Sequence, residues 1–141
     1  MMSEIGSHPE LDPALDLQSP ILRELLRYWE GAKAGKPLPA RADIDPLEIG
    51  PALLPYILIA EVEYEPKLRF RWRLVGTHIT ETLGRDVTGA YWDEIYNDKV
   101  LASLYLRADW LMQQLRPLRA IGLSPRPGRN AGSSETLYLP L

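Results

Sequence analysis

Along "SPILRELLRYWEGAKAGKPLP" the apolar residues Ile21, Leu22, Leu25, Leu26 and Trp29 recur at three- and four-residue steps, the spacing of one face of an α-helix. Ser19 stands where an N-cap is needed, Pro20 at the first helical position, and Gly35 and Pro37 just past the end. The pattern predicts an amphipathic helix over residues 19–34 that must dock on something. Prolines at 37, 39, 46, 51 and 55 then cut the chain into short turns, with Asp45 placed to cap a helical turn through Leu47, Glu48 and Ile49. From Tyr56 to Tyr64, Leu58, Ala60 and Val62 alternate with Ile59, Glu61 and Glu63; from Leu68 to Val75, Phe70, Trp72 and Leu74 alternate with Arg69, Arg71 and Arg73. Two strands joined by the short turn "EPK" make a hairpin.

Beyond Gly76 the period changes. "THITETLG" fits one or two helical turns begun by Thr77 and ended by Gly84, "RDVTG" is a turn, and "AYWDEIY" is a brief helix. In "DKVLASLYLRADWLMQQLRP" the residues Val100, Leu101, Leu104, Tyr105, Ala108, Leu111, Met112 and Leu115 make one broad helical face, with Asp98 as its cap and Pro117 as its stop. A strand from Leu118 to Leu123, a loop "SPRPGRNAGSS" and a last strand "ETLYLPL" follow. Helix, hairpin, short helices, long helix and strands in that order give an α+β class.

Composition narrows the function classes. The chain has 141 residues, 45% hydrophobic and 25% charged, which suits one soluble globular domain. No apolar run is long enough to span a bilayer, and the acidic start "MMSEIGSHPELDPALDLQSP" has neither the basic opening nor the apolar centre of a signal segment, so the chain reads as cytoplasmic. Residues 1–18, with Glu4, Glu10, Asp12 and Asp16, read as a mobile acidic tail ahead of a domain over residues 19–141. The absence of cysteine excludes disulfides and thiolate sites, and two histidines argue against a multi-histidine metal centre. A net charge of −3 argues against general nucleic-acid binding.

The candidate chemistry is thin. His78 lies near Thr77, Thr80, Glu81 and Asp86, but no nucleophile elbow accompanies it, so an acid–base role in a small enzyme rests on His78 alone. One histidine can also hold an axial haem position, yet nothing else in the chain specifies haem, and the cofactor stays unknown. Asp93, Glu94 and Asp98 suit helix starts better than a catalytic pair, and glycines at 76, 84 and 89 fit no phosphate-binding pattern. Trp72 shares a strand face with Phe70 and Leu74, and Tyr91, Trp92, Tyr96, Tyr105 and Trp110 follow; such aromatics form core or line a small-molecule cavity. The opposite face, Arg69, Arg71 and Arg73, is either solvated or a docking face for an acidic helix or a dimer partner.

The stretches "ARADIDP", "LLP", "FRWRLVGT", "GRDVTG" and "DEI", in this order between Leu38 and Ile95, resemble the small single-domain PAS proteins of bacteria, mainly alphaproteobacterial. The resemblance implies a PAS-like antiparallel sheet of about five strands, short helices and one long connecting helix, here preceded by the amphipathic helix. It also implies that the final strand of the sheet is missing after "LYLPL" or is supplied by another chain. Carried over by position, Phe70, Trp72 and Leu74 would face inward, Gly84, Arg85 and Asp86 would form the turn below a cavity, and Tyr91, Trp92, Leu104 and Tyr105 its helical wall.

The resulting expectation is a stand-alone sensory or protein-interaction module of bacterial signalling, not an enzyme, with a small apolar ligand contacted by Trp72, Leu74, His78, Tyr91, Trp92, Leu104 and Tyr105. Arg69, Arg71 and Arg73 would be the interaction face, towards a second copy in a homodimer or a signalling partner. The alternatives are an enzyme using His78 and a ligand-free structural adaptor.

Overall fold

The computed structural model describes residues 10–124 and 132–141. The chain divides into two compact units, one of residues up to Ile44 together with Leu106–Leu141, the other Asp45–Tyr105.

In the first unit the amphipathic stretch folds as α1, Pro20–Ala32. Ser19 caps it by accepting the amide of Leu22, and Trp29 at the centre of the apolar face is almost wholly buried, its indole N–H donating to the Pro140 carbonyl at 2.8 Å. Three antiparallel strands form the sheet of this unit: β1 (Leu11–Asp12), β4 (Leu118–Ser124) and β5 (Gly132–Tyr138), in the order β1-β4-β5. β4 and β5 are paired along their whole length, from Leu118 opposite Tyr138 to Ser124 opposite Gly132. Leu11, Trp110, Leu118 and Ala120 make the core, with Leu106, Leu111 and Tyr138 packed on it. Burying a side chain such as Leu118 contributes about 1.5–3 kcal/mol.

The expected tail 1–18 is part of this unit from Glu10 onwards. Leu11 pairs with Ala120 and is buried, Asp12 pairs with Arg119, and Leu17 is buried. The physical reason is an ion network. Arg119, itself buried, donates to Asp12 at 3.1 Å and to Glu135, while Glu135 also accepts the amides of Gln18 and Ser19. Burial would raise the Glu135 carboxyl, but these donors outweigh it and hold the group below its ordinary value. Residues 1–9 and the 125–131 part of the expected loop lie outside the described residues.

The second unit is built on the predicted hairpin. Asp45 caps α2 (Pro46–Ile49) by accepting the Leu47 amide at 2.9 Å. β2 (Leu58–Glu63) then pairs antiparallel with β3 (Arg69–Val75). Gly76 turns the chain into α3 (Thr77–Leu83); a Cβ there would meet the Pro55 carbonyl oxygen at 2.3 Å, so only glycine fits. Gly84 ends α3 in the left-handed conformation. α4 (Trp92–Ile95) follows, and α5 (Asp98–Gln114) begins in this unit. Asn97 rather than Asp98 caps α5, its side chain accepting the Val100 amide at 2.9 Å, because two capping-type residues stand side by side and the geometry uses the first.

The fold is mixed α+β as expected, with five α-helices among the described residues, but the strands form two separate ladders rather than one five-stranded sheet. Among the described residues β2 and β5 each pair on one side only. No helix among them is long and apolar enough to cross a membrane.

Candidate functional site

The site grows from the two faces of β3. Phe70 and Trp72 are buried on one, opposite Val62 and Ala60 of β2. The outer edge of β3 is covered by the turn that follows α3. Asp86 accepts the amide and hydroxyl of Thr88, and the chain then runs beside β3, with Gly89 donating to the Trp72 carbonyl and Trp72 to that of Ala90. That tether delivers α4 onto the Phe70–Trp72 face. Trp92 stacks on Phe70 with ring centroids 4.4 Å apart, tilts against Trp72 at 5.1 Å, and meets Tyr105 of α5 at 6.2 Å. The Trp72 indole donates to the Tyr96 hydroxyl at 3.1 Å. The Trp92 indole N–H is buried and has no acceptor among the described residues.

The other face is an ion layer. Arg69 grips Asp93 through two bonds of 2.8 and 2.7 Å and reaches Glu94 at 3.2 Å; Arg71 bonds Glu61 at 2.8 Å, and Arg73 approaches the same carboxylate at 3.4 Å. The Tyr91 ring lies 3.6 Å under the Arg69 guanidinium, and its hydroxyl donates to Glu63 at 2.8 Å. The bond from Arg69 holds the Asp93 carboxyl below its ordinary value, that from Arg71 does the same for Glu61, and the Glu63 contact raises the Tyr91 phenol. A general acid near neutral pH needs a raised carboxyl, so Asp93 is shifted the wrong way for that task.

The expected site residues therefore separate. Trp72, Trp92 and Tyr105 come together in the aromatic cluster, and Leu104 is half-buried beside Tyr105. Tyr91 belongs to the ion layer, because its backbone bridge to Arg71 turns the ring towards the arginines. The hairpin register slips between Ile59 and Ala60, so Leu74 pairs with Ile59 and the alternation that put it in phase with Trp72 is interrupted. His78 is exposed, its ring 4.6 Å from that of Tyr56, and Thr82 bonds only its carbonyl. Among the described residues no carboxylate bonds its imidazole. Arg69, Arg71 and Arg73 do share one face, but its counter-charges come from the same unit.

Comparison with known families decides the class: a family model described as PAS domain matches residues 17–141. The chain belongs to the PAS-domain family. No curated protein and no solved structure matches it. PAS domains are sensory and interaction modules of signal transduction, generally without enzymatic activity of their own. In this PAS domain the match begins at Leu17, so it includes α1 as well as the hairpin and the long helix. Phe70 and Tyr96 complete the aromatic cluster; Phe70 was legible from the strand alternation, whereas Tyr96 is placed by α4.

Proposed function

We propose that this PAS domain is a sensor of bacterial signalling whose signal is a small flat aromatic molecule carrying one hydrogen-bond acceptor, taken up at the Phe70, Trp72, Trp92 and Tyr105 cluster. The observation that carries the reading is the Trp92 indole N–H, buried among aromatic rings without an acceptor. Such an orphan donor costs about 1–3 kcal/mol, which an acceptor-bearing ligand recovers. α4 has only four residues and no side-chain cap at Tyr91, so it is held mainly by the ring contacts of Trp92 and by the Arg69 bonds to Asp93 and Glu94.

The same four-residue helix joins the two faces. Trp92 belongs to the aromatic cluster, while its neighbours Asp93 and Glu94 neutralise Arg69 and the Tyr91 ring stacks under it. A ligand that shifts Trp92 draws these groups off Arg69 and bares that guanidinium to an acidic partner, while Arg71 and Arg73 stay paired with Glu61, which is how binding becomes an output.

The test compares quinoline with naphthalene, two molecules of the same shape of which only quinoline has an acceptor nitrogen. Calorimetric titration should find quinoline bound more tightly, and Trp92→Phe should abolish that preference while leaving the fold intact. Equal binding of both by the native protein would refute the role of the Trp92 N–H, and no binding of either would leave a ligand-free adaptor as the better description.

A second reading concerns self-association. Ile21 is 40% exposed and Leu25 only half-buried although both lie on the apolar face of α1, which supports a homodimer through that helix. Light scattering of the native protein and of Ile21→Asp tests it, a monomer in both cases counting against it.

A further inference from the structure

A second candidate site lies beside α1, in the unit that does not contain the aromatic cluster. Asp12 folds the segment after β1 into a tight loop by accepting the amides of Ala14 and Asp16, each at 2.9 Å. Leu15 is thereby held at φ 61°, a left-handed conformation that a bulky residue rarely adopts, and Leu17 donates back to its carbonyl at 2.8 Å. Arg23 of α1 ties the loop to the helix, its Nε donating to the Leu17 carbonyl at 2.9 Å. Between them runs an open groove of about 420 Å³, lined by Leu15, Asp16, Leu17, Arg23, Leu26 and Arg27. That volume is within the range of small-molecule sites, roughly 300–1,000 Å³.

The lining has a definite chemistry. Leu15, Leu17 and Leu26 supply apolar walls. Arg27 is exposed and makes no hydrogen bond, ion pair or ring contact among the described residues, and Arg23 engages only its Nε, leaving its terminal nitrogens open. Two cations against the single carboxylate of Asp16 leave the groove positive, although the chain as a whole carries a net charge of −3. Guanidinium groups bond planar carboxylates in a fixed fork geometry.

We propose that this groove binds a free medium-chain carboxylate, the apolar chain lying over Leu15, Leu17 and Leu26 and the carboxylate held by Arg27 and the open nitrogens of Arg23. The left-handed Leu15 pre-forms the apolar wall, so little ordering accompanies binding.

The full chain, labelled with nitrogen-15, is titrated with sodium octanoate and separately with 1-octanol while amide shifts are followed. Octanoate should bind in the millimolar range or tighter, shifting the amides of Leu15, Leu17 and Leu26 before those of the Phe70–Trp92 cluster. Arg27→Gln, which loses no internal contact, should weaken octanoate about fivefold and leave octanol unchanged. Three results overturn the proposal: no octanoate shifts in the groove, octanol bound as tightly as octanoate, or Arg27→Gln and Arg23→Gln together without effect. A peptide with an apolar carboxyl-terminal residue binding tighter than octanoate would overturn it as well, making the groove a peptide-docking surface.

Discussion

Replacing Glu135 with glutamine tests whether the acidic start of the chain is fastened to the sheet. The Glu135 side chain is 14% exposed and that of Arg119 10%. One carboxylate oxygen accepts the Ser19 amide at 2.8 Å, the other the Gln18 amide at 2.9 Å, and Arg119 bonds it as well. Glutamine keeps the shape but turns one acceptor into a donor, which must then face Arg119 or a backbone N–H. Breaking a fully buried pair costs about 3–5 kcal/mol, but Arg119 keeps Asp12, so the loss here should be about 2 kcal/mol. Hydrogen exchange at the Gln18 and Ser19 amides reads this locally, and about 2 kcal/mol corresponds to exchange about thirtyfold faster. Exchange accelerated less than about twofold would refute the network as what holds residues 10–18, since about 0.5 kcal/mol is what an ordinary surface change does.

Other outcomes follow from the same geometry. The carboxyls of Asp12 and Glu135 are lower in the folded chain than their ordinary 3.8 and 4.5, so the unfolded chain takes up protons first; the stability they contribute is present above about pH 4.5 and is lost as pH falls through their folded values, which an acid titration of Gln18 exchange should register. Gly76→Ala forces a Cβ against the Pro55 backbone and should destabilise the Asp45–Tyr105 unit by about 1–3 kcal/mol in urea unfolding; an unchanged midpoint would contradict the close approach. Arg69→Glu adds a third acid beside Asp93 and Glu94 and should loosen α4, an effect that added salt reduces; salt-independent loosening would point to lost packing instead. Trp29→Phe removes the bond to Pro140 and should cost about 1 kcal/mol beyond any packing change, seen as a lower thermal midpoint.

Where a feature depends on residues close in sequence, the chain announces it. The period of Ile21, Leu22, Leu25, Leu26 and Trp29 gives α1, the alternation from Leu58 to Val75 gives the hairpin, and Asp45 before Pro46 gives the cap of α2. Features that depend on distant partners are silent. Arg119 meets Asp12 107 positions away, so nothing local marks Leu11–Asp12 as a strand rather than a tail. The arginine stripe was legible but its neutralisation was not, since Asp93 and Glu94 come 24 and 25 positions after Arg69. Tyr91 and Trp92, adjacent in sequence, fall on opposite faces because a single backbone bridge to Arg71 fixes the chain just before α4. A one-residue slip in the hairpin interrupts the alternation between Trp72 and Leu74, through a bulge that alternation alone does not encode.

Whether Trp92 offers an unused hydrogen bond to a ligand is read from the indole nitrogen-15 resonances of the four tryptophans, assigned through Trp92→Phe. On saturation with quinoline the Trp92 indole proton should move downfield. Trp29, already bonded to Pro140, and Trp110, whose indole sits in the core with Leu11 and Leu118, should not move. A Trp92 signal that stays in place while quinoline binds elsewhere, or an equal shift of all four indoles, would contradict that bond to Trp92.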